Sequence, residues 1–143
     1  MINEATQKAA VLMGRICIAL LFFQSGWHKI GGGFEANLKV MTAKGLPMPE
    51  VLLAVTIALV FAGGVMILFG WYARTAAIVL AVWMVPITLY YHAFWDADPA
   101  QVFNQTTHFM KNLAIFGLLL HLFAVGPGPL SLHDEARLQG AAA

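Results

Sequence analysis

VLLAVTIALVFAGGVMILFGWY, residues 51–72, contains no Asp, Glu, Lys, Arg or His. An apolar stretch of this length suits an α-helix that crosses a hydrocarbon core of about 30 Å, which takes about 20 residues. Outward from it the chain keeps the same character. Residues 9–28 form a comparable run interrupted by Arg15, residues 75–95 a third with Pro86 inside it, and residues 108–125 a shorter fourth that stops at GPGPL. The whole sequence is 60% hydrophobic and 10% charged, against roughly 25% charged in a soluble domain.

These runs predict an all-α, polytopic membrane protein: a four-helix transmembrane bundle forming a single domain over residues 1–143. A short interfacial helix is expected between spans one and two, over residues 34–44. There Phe34, Leu38 and Met41 recur at i, i+4, i+7, with Glu35 and Lys39 on the opposite side. Gly45 is placed to end this helix and Pro47 to prevent its continuation. Asp98-Pro99-Ala100-Gln101 reads as a cap followed by a proline at the first helical position, leading into span four. Pro86 removes a backbone donor and should kink span three near Val82. Ala54, Ala58 and Ala62, and then Ala73, Ala77 and Ala81, recur every fourth residue, which predicts a close hairpin of spans two and three.

Several function classes are excluded by composition. The formal net charge is +1 with no basic block, so no nucleic-acid partner is expected. Cys17 is the single cysteine, which rules out an intramolecular disulfide, a CxxC pair and a cysteine zinc site. Arg15 within the first run, and the poor cleavage site Gln24-Ser25-Gly26 before Trp27, mark that run as a retained helix rather than a signal peptide.

Four spans put both termini on one side of the membrane, taken as the cytoplasmic one, although the Lys/Arg count is tied. Lys8, Arg15, Arg74 and Arg137 balance Lys29, Lys39, Lys44 and Lys111. The far face collects most of the chemistry: Trp27, His28, Lys29, Glu50, Tyr90, Tyr91, His92, Trp95, Asp96, His108, Lys111 and Asn112. The terminus face carries Arg15, Trp71, Tyr72, Arg74 and the tail HDEAR, residues 133–137.

His108, Lys111 and Asn112, at i, i+3, i+4, share one helical face. With His28, Lys29, His92 and Trp95 at the same membrane depth, they suit a quinone headgroup, whose carbonyls need donors and whose ring needs aromatic walls. Trp27, Tyr90 and Tyr91 read equally well as interfacial anchors. No HxxH or HxxxH pair occurs, so no metal site is expected. Bis-histidine haem fails because His121 lies roughly 20 Å along its helix from His108. Arg15 stays open between a snorkelling anchor and a buried pairing with the turn after span two or with the C-terminal tail.

LFFQSGWHKIGG, the Gly45-Leu46-Pro47 turn, GGVMILFGWYARTAA, HAFWD, HFMKNLAIFGLLL and the closing GPGPLSL, in that order from Val11 to Leu132, together resemble the DoxX family of small four-helix membrane proteins. The residues that match its motifs are Arg15, Gly26, Lys29, Gly70, Arg74, His92, Trp95, Lys111 and Asn112. The resemblance implies a bacterial cytoplasmic (inner) membrane location. It also implies a setting beside redox or stress functions, since relatives include a subunit of thiosulfate:quinone oxidoreductase and a partner in a mycobacterial oxidoreductase complex. The family has no agreed catalytic residues, so none carries over.

The combined expectation is an accessory membrane subunit of a quinone-linked or redox-stress oxidoreductase, without a self-sufficient catalytic motif. Its partners would be membrane lipid and a larger complex or further copies of itself. No intrinsic cofactor is expected, and quinone is the ligand class that fits His28, Lys29, His92, Trp95, Lys111 and Asn112. The alternative is a non-catalytic anchor or assembly protein. A small transporter is weaker, because no inverted repeat is visible.

Overall fold

The apolar runs become helices in a computed structural model that describes residues 2–132. The order is α1 (Glu4–Trp27), α2 (Gly32–Ala43), α3 (Pro49–Phe69), α4 (Ala73–Tyr91), a 3₁₀ turn at Phe94–Asp96, and α5 (Val102–Val125). Among the described residues there is no strand. α1, α3, α5 and the stretch Ala73–Asp96 are each long and apolar enough to cross a membrane. The expected fold class therefore holds, including the short helix between spans one and two. The HDEAR segment lies outside the described residues.

Helix ends differ from the expected span ends for local reasons. α1 starts at Glu4 because the Asn3 side chain accepts from the Thr6 amide at 2.8 Å and caps the first turn. Glu4 and Lys8 add an i, i+4 ion pair at 2.5 Å. These turns are polar and so fall outside the hydrophobic run. At the other end of the chain, α5 starts at Val102 rather than at Pro99. Asp98 instead builds a turn: its side chain accepts from the Ala100 amide at 3.0 Å and its carbonyl from the Gln101 amide at 2.7 Å.

The described residues form two units, one of residues 2–72 with 127–132 and the other of residues 73–126. In the first, α1 and α3 pack antiparallel, each burying a glycine under an aromatic ring of the other. A Cβ on Gly26 would stand 2.7 Å from Phe61, and one on Gly64 would stand 2.9 Å from Phe23. The two rings stack with centroids 6.1 Å apart. α2 packs on α3 through the predicted face, with Met41 buried, Phe34 and Leu38 half-buried, and Glu35 and Lys39 exposed. Gly45 at φ 71° and the Leu46 amide returning to the Met41 carbonyl at 3.1 Å close α2 in a Schellman turn.

In the second unit, α4 and α5 pack antiparallel, so that each turn along α4 is matched by one turn back along α5. Arg74 closes one end. Its Nη1 donates to the Phe123 and Ala124 carbonyls at 2.5 and 2.6 Å and its Nη2 to the Val125 carbonyl at 3.1 Å. These are carbonyls of the last turn, which have no amide partners within the helix and carry the negative end of its dipole. Pro86 lies inside α4.

Within its unit α3 packs against α1 and α2, while α4 packs against α5. Ala54, Ala58 and Ala62 form an exposed row, whereas Ala73, Ala77 and Ala81 are buried. Close approach of α1 and α3 comes from glycine paired with phenylalanine, not from the alanine row.

Candidate functional site

The seam between α4 and α5 carries a short ladder of polar contacts, one turn apart. On the first rung the Asn112 Nδ2 donates to the Thr88 hydroxyl at 3.0 Å. One turn further, His92 and His108 stack with ring centroids 5.0 Å apart and planes 12° from parallel. His92 also bonds through Nδ1 to Gln105 Oε1 at 2.9 Å. With that oxygen as acceptor, the imidazole proton sits on Nδ1, and Nε2 keeps its lone pair in the neutral ring.

The ladder arises from two local features. His92 lies just past the end of α4, its amide still bonded to the Thr88 carbonyl at 3.0 Å. On α5, Gln105, His108 and Asn112 recur at i, i+3, i+7 and so face the same neighbour.

A groove of about 140 Å³ opens beside the first rung, lined by Met84, Val85, Leu89, Phe109, Leu113 and Phe116 together with Thr88 and Asn112. Thr88 is only 8% exposed. Its hydroxyl keeps its own proton to donate, and Asn112 keeps one amide proton and its carbonyl oxygen. An apolar cleft with a few convergent polar groups is the usual form of a small-molecule site. Phe109 links the groove to the turn after α4, where it makes edge-to-face contacts with Phe94 at 5.3 Å and Trp95 at 5.9 Å between centroids.

The six residues singled out from sequence separate into two sets. His92, Trp95, Lys111 and Asn112 belong to the second unit, and His28 and Lys29 to the first. His92 and Asn112 stand on the ladder. Trp95 is 60% exposed at its margin, and Lys111 is exposed on α5. Lys29 has a structural engagement at the end of α1: its ammonium donates to the Ser25 carbonyl and to the Ser25 hydroxyl, both at 2.9 Å. This is a cation placed at a helix C-terminus, and burial holds it below the ordinary lysine range. His28 is the exposed C-cap of α1. Glu50 is exposed in the first turn of α3.

Thr88, Gln105 and Phe109 were not read from the sequence as part of a site. The signal was present, since Thr88 precedes His92 by one turn and Gln105 precedes His108 by one turn. Among the described residues no group of three or more His, Cys, Asp or Glu is placed to hold a metal ion.

Arg15 is buried rather than snorkelling. Its side chain is 2% exposed, and Nη2 donates to the Leu130 carbonyl at 2.7 Å. The guanidinium lies beside Gly70, the residue that ends α3, and Ser131 packs on the same glycine. The Leu132 amide completes the junction by donating to the Phe69 carbonyl at 2.9 Å. Residues 127–132, which include most of the GPGPL expected to stop a helix, therefore close this end of the first unit.

The family model described as DoxX matches residues 10–93. The chain is 36% identical over 126 residues to inner membrane protein YqjF of Escherichia coli (strain K12), covering 88% of this chain and 91% of that protein. It is 27% identical over 128 residues to inner membrane protein YphA of the same organism, covering 90% and 91% respectively. No solved structure matches it. With its motifs in order, four apolar helices and a relative at this identity over nearly the full length, the chain belongs to the DoxX family.

Proposed function

We propose that this protein is an accessory subunit of a quinone-linked or redox-stress oxidoreductase in the bacterial inner membrane, with both termini cytoplasmic, and that its α4/α5 seam receives a quinone headgroup. The observation that carries this reading is the Thr88–Asn112 rung at the edge of an otherwise apolar groove, one turn from the His92–His108 stack. A quinone ring presents two carbonyl acceptors and two flat faces. The Thr88 hydroxyl and the free Asn112 amide proton are donors for a carbonyl, and Phe109 lines the groove with an aromatic ring. The groove is smaller than the roughly 300–1,000 Å³ of a drug-sized site, so it suits the ring alone. An isoprenoid tail would run along the exposed apolar residues Val85, Leu89 and Leu113.

Bound quinone would supply the electron chemistry. The residues of this chain would orient the ring, keep water from one face and hold a proton at His92 Nδ1. The inner-membrane names of YqjF and YphA support the location.

The test is titration of a short-tailed quinone into the purified protein in lipid nanodiscs, read by quenching of tryptophan fluorescence. Asn112→Leu and His92→Ala are each expected to weaken binding about ten-fold, equivalent to about 1.4 kcal/mol or one hydrogen bond. Absence of binding by the wild type, or the same affinity in both variants, sinks the reading.

A second reading, an anchor or assembly protein, is favoured by the exposed row Ala54, Ala58 and Ala62 on α3. Small residues at this spacing suit close contact with another helix in lipid. Under it, Ala58→Leu dissociates a complex isolated in mild detergent while Asn112→Leu leaves it intact; the headgroup reading predicts that Ala58→Leu leaves quinone affinity unchanged.

A further inference from the structure

We propose that Arg15 is a binding group for the phosphate of a membrane phospholipid, covered by residues 127–132, and that the lipid phosphate takes the place of the Leu130 carbonyl.

The starting point is a buried cation short of acceptors. Arg15 is 2% exposed, and its Nη2 donates to the Leu130 carbonyl. Nε and Nη1 are buried without a hydrogen-bond partner. A guanidinium keeps its charge at any physiological pH, so loss of a proton cannot relieve its burial. An ionised side chain inside a membrane helix ordinarily has a partner. Among the described acids of the first unit, Glu4 pairs with Lys8 and lies about 16 Å from Arg15 along α1 by helix rise. Glu35 is exposed on α2, and Glu50 is exposed in the first turn of α3, at the opposite end from Gly70. What the guanidinium lacks is an anion with more than one acceptor oxygen, a carboxylate or a phosphate.

Depth selects phosphate. α3 has 21 residues, about 31 Å by helix rise, which matches a hydrocarbon core of about 30 Å. Arg15 Nη1 lies beside Gly70, the residue that ends this helix. Trp71 and Tyr72 follow directly and are 48% and 52% exposed, as suits aromatic residues at headgroup level. The guanidinium therefore stands where the bilayer itself places its phosphates.

The cover can be exchanged. Leu130 offers its carbonyl from a left-handed backbone, φ 61°, a conformation that costs a non-glycine residue free energy. Its side chain is 61% exposed. The segment is held to the helices by this carbonyl and by the Leu132 amide donating to the Phe69 carbonyl. A phosphate oxygen in place of the Leu130 carbonyl substitutes a charged acceptor for a neutral one. It also brings further oxygens to Nε and Nη1 and releases Leu130 from the left-handed region. A ligand that binds the uncovered state draws the chain toward it by its differential affinity.

The experiment uses the full chain in maltoside micelles, which contain no phosphate, with isotope-labelled nitrogen in its three arginines. The Arg15 Nε–H resonance is assigned by elimination with Arg74→Lys and Arg137→Lys. Short-chain phosphatidylglycerol is expected to shift it saturably, and the corresponding diacylglycerol, which lacks the phosphate, to leave it in place. Inorganic phosphate is expected to bind more weakly by about ten-fold or more, because it has no acyl chains to hold it at membrane depth. No shift with phosphatidylglycerol, or the same shift with diacylglycerol, overturns the site. Inorganic phosphate of equal affinity identifies a free anion as the ligand and overturns the lipid assignment. Leu130→Gly leaves Arg15 in place and suits the left-handed backbone, so it favours the covered state. It is expected to bind phosphatidylglycerol about five-fold more weakly, the fold-change equivalent to about 1 kcal/mol of left-handed strain. Unchanged or tighter binding by Leu130→Gly overturns the exchange at Leu130.

Discussion

Replacing Gly70 with alanine is expected to lower the unfolding free energy by about 3 kcal/mol, combining backbone strain of about 1 kcal/mol and overpacking of about 1–3 kcal/mol. Gly70 has φ 65°, in the left-handed region, where the Trp71 amide returns to the Met66 carbonyl at 2.9 Å to end α3. An added Cβ would collide with the Ser131 Cβ and with Arg15 Nη1, and would lie 2.9 Å from the Ser131 Cα. Unfolding in mixed detergent, followed by tryptophan fluorescence, measures the loss. Ser131→Gly placed in the Gly70→Ala background removes one collision partner and should recover part of the deficit, leaving the strain. A loss below about 1 kcal/mol would mean that the 127–132 segment is not seated on the end of α3.

The second large effect belongs to the crossing of α1 and α3. Gly64→Leu is expected to cost about 3 kcal/mol, since even a Cβ would stand 2.9 Å from the Phe23 ring, and the longer side chain has to displace it. Phe23 is not free to move away without disturbing its stack on Phe61, which in turn covers Gly26. The size swap Gly64→Leu with Phe23→Ala should therefore be more stable than Gly64→Leu alone, an uncommon result for truncating a packed, half-buried aromatic residue. Additive losses in the same detergent unfolding assay would refute this packing.

Features carried by neighbouring residues were readable from the sequence. The four spans follow from run length, and α2 from the 3.6-residue spacing of Phe34, Leu38 and Met41. Asn112 stood out from the helical face it shares with His108 and Lys111, and His92 from its expected place at the same membrane depth. What could not be read was long-range pairing. Arg15 meets Leu130 across 115 positions, and the sequence left a buried pairing with the turn after span two or the C-terminal tail open beside a snorkelling anchor, since nothing near Arg15 names its acceptor. Alanine spacing likewise identifies a smooth helix face without saying what lies against it. Lys29 was also ambiguous, since its bond to Ser25 is an ordinary i, i−4 engagement at a helix end, and the same residue in the same place could have faced a ligand.

The Arg15–Leu130 hydrogen bond has a consequence for biogenesis. Ribosomes deliver α1 to the membrane long before Leu130 exists, so the first helix enters lipid with its guanidinium lacking the acceptor it has in the finished protein. Arginine at the centre of an inserting helix costs about 2.5–3.5 kcal/mol, and that cost stays unrelieved until the last loop has been synthesised and folds back onto α3. A nascent chain released before residue 130 would contain all four spans and still lack the contact that settles its first one.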